Sequence, residues 1–292
     1  MINEIFQILI FPGLLGAIGF GFFYEGLFRK ITAHMHNRIG PPVWQPFLDW
    51  MKLMLKENIN PEHAEKILFT LSPIISLASA LTVIFFIPIG NFHLISFTGD
   101  LFLVIYLLSL STICFAFAGF SSSSPFGSLG AIREITQFFA YEFPFIISLV
   151  IVGLFTGFKT LPFFAWQFPL ATIAFLCSLQ GKISLPPFHI PDAEQEIVAG
   201  PLTEYSGSRL AMFSLAKAIR LWVLISLTTV LFFGGGSLIL FFAKSLIILF
   251  LLIVMRVIFA RLRIDQSFKF YFWFLGPLAL LDFVRVLFGY YW

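Results

Sequence analysis

The residues able to move charge gather in one stretch, LPPFHIPDAEQEIVAGPLTEYSGSR (185–209). It holds Asp192, Glu194, Glu196 and Glu204, four of the fifteen acidic residues among 292. Pro191 suits the first turn of a short helix, and Asp192 suits its acidic N-terminal end. On that helix Asp192 and Glu196 stand i, i+4 and share a face, whereas Glu194 and Glu196 point about 200° apart. Two carboxylates that close repel, so one of them is expected to hold a proton near neutral pH. Sites that fill and empty at working pH are what a proton relay in a membrane needs.

Other ionisable residues interrupt apolar sequence. Glu142 precedes Pro144 and sits about two turns deeper than Arg133. Arg133, Gln137 and Tyr141 form one helical stripe, with Glu134 nearly in line with Tyr141. Lys217 and Arg220 lie one turn apart, in line with Arg209. Charge at bilayer depth is costly and is a functional candidate by default, so Glu142, Lys217 and Arg220 are expected to join the acidic loop in one polar track. Asp282 and Arg285, at i, i+3, read as a structural pair, and Lys244 as a structural charge near an interface. No nucleophile–base arrangement, phosphate loop, dinucleotide fingerprint or haem motif is visible. His34, His36, His63, His93 and His189 are scattered, and Cys114 and Cys177 stand alone. No catalytic or metal site is therefore expected in this chain.

The elements that must position these groups are membrane helices. The chain is 59% hydrophobic and 11% charged, against about 25% charged in a soluble domain. It reads as a single all-α, polytopic membrane domain over 1–292. About eight segments have spanning length: 5–28, 68–88, 101–120, 135–156, 162–180, 207–231, 238–256 and 268–289. Lys and Arg concentrate in alternate connections, including Arg29, Lys30, Arg38, Lys52, Lys56, Lys66, Arg133, Lys182, Arg209, Arg256, Arg261, Arg263 and Lys269. The positive-inside rule puts those connections in the cytoplasm and both termini outside a plasma membrane. The net charge of +3 then reads as topology, not as nucleic-acid binding. No removable signal peptide is expected at the N-terminus. Within the first connection, residues 42–57 (PVWQPFLDWMKLMLKE) place Trp44, Phe47, Trp50, Met51 and Met54 at helical spacing. That predicts a short amphipathic helix on the membrane surface or under a partner. NRIGPP before it is a rigid turn, from which Arg38 could meet a partner or a headgroup.

Three stretches together carry a family resemblance: RIGPPVWQPFLDWMKLMLKE (38–57), LGAIREITQFFAYEFP (129–144) and PPFHIPDAEQEIVAGPLTEYSG (186–207). The set resembles subunit 1 of respiratory complex I. The resemblance implies an eight-helix subunit that docks a peripheral redox arm onto a membrane arm. Asp192, Glu194 and Glu196 take the places of the carboxylates in the family's P-E-A-E-S-E segment. Glu204 matches its T-E-Y-S-G, Glu142 its Y-E-x-P and Arg133 its L-G-A-x-R. In quinone-reducing members these loops line the quinone chamber and begin the proton path. This chain departs where they carry E-T-N-R: it has Lys182-Ile183-Ser184-Leu185, and His189 replaces an Asp. With Glu134 directly after Arg133, those changes resemble the branch found in membrane-bound [NiFe] hydrogenases and the archaeal sulfane sulfur reductase complex. The implied role is a non-catalytic anchor and coupling subunit of a ferredoxin-linked oxidoreductase complex that moves H⁺ or Na⁺. The implied partners are hydrogenase-like and iron–sulfur subunits on the cytoplasmic face, antiporter-like membrane subunits and lipid. Iron–sulfur clusters, and a NiFe centre where hydrogen is the product, would sit in those partners and no cofactor in this chain. Arg38, Arg133, Glu134, Lys182, His189 and Arg209 are then expected at the peripheral-arm contact or in structural roles. A quinone-reducing complex I subunit, an autonomous secondary transporter and a passive scaffold are the competing readings. A transporter would want internal repeats, and none is evident.

Overall fold

The computed structural model describes residues 7–90, 92–191 and 194–289. Its helices are α1 (Leu14–Met35), α2 (Gln45–Met54), α3 (Lys66–Val83), α4 (Asp100–Ser121), α5 (Pro125–Thr156), α6 (Pro169–Lys182), α7 (Gly207–Leu231), α8 (Leu238–Ile258) and α9 (Ile264–Leu287). A π-helical turn, Phe270–Leu275, lies inside α9. The architecture is all-α, as expected. Among the described residues seven helical stretches are long and apolar enough to cross a membrane, all of these helices except α2 and α6.

Helix α7 is the centre. From Ala218 to Leu231 every residue is buried, Arg220 included. A helix apolar all round has no solvent or lipid face to spare, and α1, α3 and α8 pack around this one. Trp222 forms a three-ring cluster with Phe20 of α1 and Phe242 of α8, its centroid 5.1 and 6.0 Å from theirs and theirs 5.1 Å apart. A second layer runs α3, α4, α5, α6, and α9 closes across α5 and α6. The outer faces of α8 and α9 stay apolar and exposed, as in Ile247, Phe250, Phe272 and Trp273.

The element expected at 162–180 is present but short. It becomes helical at Pro169 and spans 14 residues, about 21 Å against the ~30 Å of a hydrocarbon core. Residues before it enter the bundle with little helix. Phe163 and Ala165 donate N–H bonds to Val230 O and Phe232 O at the end of α7, at 3.0 and 3.2 Å. Non-helical backbone at membrane depth survives only when protein satisfies it in this way. Asp282 of α9 completes the arrangement. Its Oδ2 accepts the Ala171 N–H at 2.8 Å, in the first turn of α6. Arg285 donates to Asp282 Oδ1 at 3.1 Å and to Gln167 O at 3.2 Å. The structural pair expected at Asp282 and Arg285 thus caps a helix start inside the bundle.

Helix α5 starts ten residues before the spanning segment expected at 135–156. Pro125 occupies its first turn, which suits a residue with no N–H to offer. The connection between α4 and α5 is only residues 122–124. Gly130 faces the loop that carries the carboxylates. A Cβ there would lie 2.6 Å from Pro201 N and 2.7 Å from Gly200 C, so the acidic loop can rest on α5 only because that position is glycine. Helix α2 is narrower than 42–57. Phe47 and Trp50 meet Phe22 of α1 with centroids 5.8 Å apart, while Trp44, Met51 and Met54 remain exposed.

Replacing Asp282 with Ala should cost about 3–5 kcal/mol, because it removes a buried carboxylate from both a guanidinium and a helix N-terminus. Thermal melts in detergent would read this as a lowered midpoint. Turnover per folded complex should be unchanged, since the pair lies at the other end of α6 from the charged site.

Candidate functional site

The charged groups converge where the last turn of α6 meets α4, α5 and α7. Lys182, the final residue of α6, is wholly buried, and its Nζ lies 2.6 Å from Glu142 Oε2 on α5. Ser109 of α4 donates its hydroxyl to Glu142 Oε1. The Lys182 ammonium also sits 4.2 Å from the Phe145 ring centroid and 5.7 Å from that of Tyr141, a contact that stabilises a desolvated cation. Placing Lys182 in the cytoplasmic loop is therefore corrected. Its flanking polar sequence suggested exposure, but Gln180, Gly181 and Lys182 all point into the bundle. Glu142 is buried inside the bundle, and its partner comes from another helix, which spacing along one helix cannot reveal.

Arg220 extends the cluster. Its Nη1 donates to Thr112 Oγ1 of α4 at 3.2 Å, and its guanidinium stands 5.0 Å from the Phe115 centroid, a ring that also faces Lys217 at 5.3 Å. Tyr141 lies within electrostatic reach of Glu134, Glu142 and Arg220, and Lys182 within that of Arg220. Glu134 is buried too. The polar track then bends toward α1, where Glu25 feels the charge of Lys217 and pairs with Arg29. Arg29 in turn donates to Asp49 of α2 at 3.1 Å. Glu25 went unnoticed in the sequence, although an acid in FFYEGLFRK with Arg29 at i+4 carries the signal.

The expected loop residues divide. Asp192 lies outside the described residues, so its shared face with Glu196 does too. Glu194 opens a single helical turn, Glu194–Ile197. Glu196 is half exposed, and its carboxylate lies 2.5 Å from Arg133 Nη1 and 3.6 Å from Arg261 Nη2. The Arg133 hydrogen bond, then the Arg261 charge, hold it below the ordinary glutamate range. Of the pair expected to share a proton, Glu196 is therefore not the member that holds it, because two guanidiniums favour its charged form. Glu204 is half-buried just before the start of α7. Arg209 donates to Asn60 and covers the Phe69 ring at 5.2 Å. His189 binds Ser184 O through Nδ1 at 2.7 Å. Arg38 is exposed beyond α1 and separate from the cluster.

Backbone bonds tie this loop to its surroundings. Gln137 donates to Phe188 O and Gln180 to Pro186 O, at 2.5 and 2.7 Å. Leu262 N–H reaches Pro187 O at 3.0 Å. Ser206 Oγ accepts the Ile59 N–H at 2.9 Å, and the Tyr205 hydroxyl donates to Phe69 O at 3.2 Å. The T-E-Y-S-G run therefore stitches the first connection to α7 as well as presenting Glu204.

A family model described as NADH dehydrogenase matches residues 7–287. The chain belongs to the NADH dehydrogenase subunit 1 family. It is 34% identical to an NADH-quinone oxidoreductase subunit of Bacillus cytotoxicus, over 94% of this chain and 90% of that one. It is also 34% identical to hydrogenase-4 component C of Escherichia coli, over 72% and 70%. Among solved structures, a chain of the membrane-bound sulfane sulfur reductase, an archaeal respiratory membrane complex, superposes with a TM-score of 0.89. That match has 29% identity and covers 97% of this chain and 99% of the other. The protein is thus a membrane subunit of a complex I-related respiratory complex.

Because Glu196 is held below its ordinary value, its two ion pairs are fully present above pH about 4.3 and fade as pH falls through the depressed value. Protection of residues 194–202 against hydrogen exchange, relative to the free-peptide rate at each pH, should therefore fall as pH drops below about 4.3, by this carboxylate's protonation. Glu196→Gln should show the loosened loop already at pH 7 and respond less to acid. Equal exchange in the two proteins at pH 7 would mean that the pairs do not hold the loop.

Proposed function

We propose that this chain is the membrane anchor and coupling subunit of a ferredoxin-linked complex of the hydrogenase or sulfane sulfur reductase type. In this reading it links redox chemistry in peripheral subunits to H⁺ or Na⁺ translocation. One observation carries the coupling: Lys182 is both the buried partner of Glu142 and the residue from which the carboxylate loop departs. A displacement of that loop by a docked redox subunit pulls directly on an ion pair in low dielectric. Opening the pair leaves two charges uncompensated, which costs several kcal/mol. The system responds by moving a proton or admitting a cation. Ser109, Tyr141, Arg220 and Glu134 surround the pair and offer the next stations.

The choice of a ferredoxin-linked over a quinone-reducing complex rests on Lys182 and His189. The quinone-linked pattern asks for E-T-N-R and Asp there, and here a lysine is buried against Glu142 while the histidine is tied to Ser184 O. The iron–sulfur clusters, and a NiFe centre where hydrogen is made, belong in this reading to cytoplasmic partners, with antiporter-like subunits alongside in the membrane. Arg133, Glu196 and Arg261 would stand on the cytoplasmic side of a plasma membrane, with both termini outside.

The test separates coupling from architecture. Lys182→Met alone should destabilise the complex by about 3–5 kcal/mol by stranding Glu142, and Glu142→Gln/Lys182→Met together should recover most of that loss. In vesicles carrying the whole complex, the double variant should be stable, yet its ferredoxin-driven ion transport should fall about tenfold or more. If transport returns with stability, the pair is a structural staple and the coupling reading fails.

A further inference from the structure

Near the junction of α8 and α9 two cavities of opposite character meet. One is a polar cleft of 460 Å³ lined by Arg133, Glu196, Arg261, Leu262, Arg263 and Asp265, among others. The other is a cavity of 310 Å³ lined by Cys177, Phe188, Met255, Phe259, Leu262 and Phe270, with Pro187 and Ala260, and it is almost entirely apolar. Leu262 lines both, so the cleft and the cavity share a wall one residue thick. Between Phe259 and Arg263 the chain is not helical. It is pinned at two points to the carboxylate loop, by the Leu262 N–H on Pro187 O and by Arg261 Nη2 on Ile190 O at 3.4 Å.

The charge balance is specific. Arg133 and Arg261 already share Glu196. Arg263 is exposed at the mouth of the same cleft. A further 660 Å³ cleft, sharing Ile264 and Asp265, adds Lys269 beside Thr136 and Phe268. Among the described residues lining the two clefts, four cations therefore face two anions, Glu196 and Asp265. A surplus of positive charge next to a dry cavity suits a ligand with an anionic head and a hydrocarbon tail. A soluble protein segment would satisfy the cations and leave the cavity unused.

We propose that this junction binds one anionic membrane phospholipid. Its phosphate sits by Arg261 and Arg263 beside Glu196, and one acyl chain lies in the cavity between Phe188, Met255, Phe259 and Phe270. Basic pockets between membrane helices hold anionic headgroups by such charge complementarity, and the tail gains by leaving the solvated rim. Because the pocket wall is bonded to the 187–190 backbone, the bound lipid braces the base of the carboxylate loop from its membrane side. This site does not depend on the proposed coupling role: its readout is bound lipid, not turnover.

The experiment uses the complex purified in mild detergent, with bound phospholipid counted by native mass spectrometry after delipidation and exposure to mixed phosphatidylglycerol–phosphatidylcholine micelles. The wild type should retain about one phosphatidylglycerol per copy of this chain. Arg263→Gln, which breaks no ion pair described above, should weaken retention about fivefold, and Arg261→Gln/Arg263→Gln about thirtyfold. Leu262→Trp, which fills the cavity and keeps the cations, should also lose the lipid. Lys159→Gln, at the far end of α5, should not. Equal retention in Arg263→Gln, Leu262→Trp and wild type would overturn the proposal. So would retention of phosphatidylcholine in place of phosphatidylglycerol, or a density map of the complex with a neighbouring subunit's side chains filling the cavity.

Discussion

An ammonium group without water must be answered by a carboxylate, and that requirement organises this bundle. Lys182 is wholly buried, and Glu142 reaches it from another helix at 2.6 Å. Neither charge would be tolerable alone at that depth. To bring them together α5 must pass the end of α6, and α4 must offer Ser109 to the second carboxylate oxygen. Helix α7 then supplies Arg220, whose own burial rests on Thr112 and the face of Phe115. A local electrostatic demand thus fixes the mutual placement of four helices, in a medium where the apolar faces alone discriminate poorly between partners.

The carboxylate loop gains its geometry from the same neighbourhood. It leaves Lys182 directly, and backbone acceptors at Ser184, Pro186, Pro187, Phe188 and Ile190 are each taken up by a side chain or an N–H from its surroundings. Gly130 lets Pro201 come down onto α5. The loop is thus a strap with one end on a buried charge and its middle bonded to α5 and to the α8–α9 connection. Glu196 adds an exposed clasp to Arg133 and Arg261.

Much of this was legible in the sequence, for reasons particular to each element. The segment 101–120 carries no charged residue, so its ends fall where polarity begins, and α4 runs Asp100–Ser121. The depth of Glu142 follows from counting turns past Arg133, and the pairing of Asp282 with Arg285 from i, i+3 spacing. Contacts between distant helices carry no such mark. Lys182 follows an apolar run and precedes a polar loop, as a rim lysine does, and only the third dimension puts Glu142 above it. The short α6 was hidden for a related reason. Residues 162–168 are as apolar as a span, and what holds them out of a regular α-helix is a set of partners at Val230, Phe232 and Arg285 that lie far along the chain. Glu25 was readable, since its Arg29 partner is four residues on.

Helix α6 therefore carries opposite charges at its two ends, each matched by another helix. At the N-terminus the Asp282 carboxylate meets the Ala171 amide, where the helix dipole is positive. At the C-terminus Lys182 supplies a cation where the dipole is negative, and Glu142 balances it. Asp282 is itself balanced by Arg285, which is anchored to Gln167 O just before the helix starts. The two ends are not equivalent. The start is closed on all sides by backbone bonds and lies away from the carboxylate loop, so it acts as a fixed point. The other end opens into the loop, and there Lys182 is held by the Glu142 carboxylate of α5. A helix fixed at its start by backbone and side-chain bonds, and joined at its end to the carboxylate loop through one buried ion pair, is the arrangement on which the proposed coupling rests.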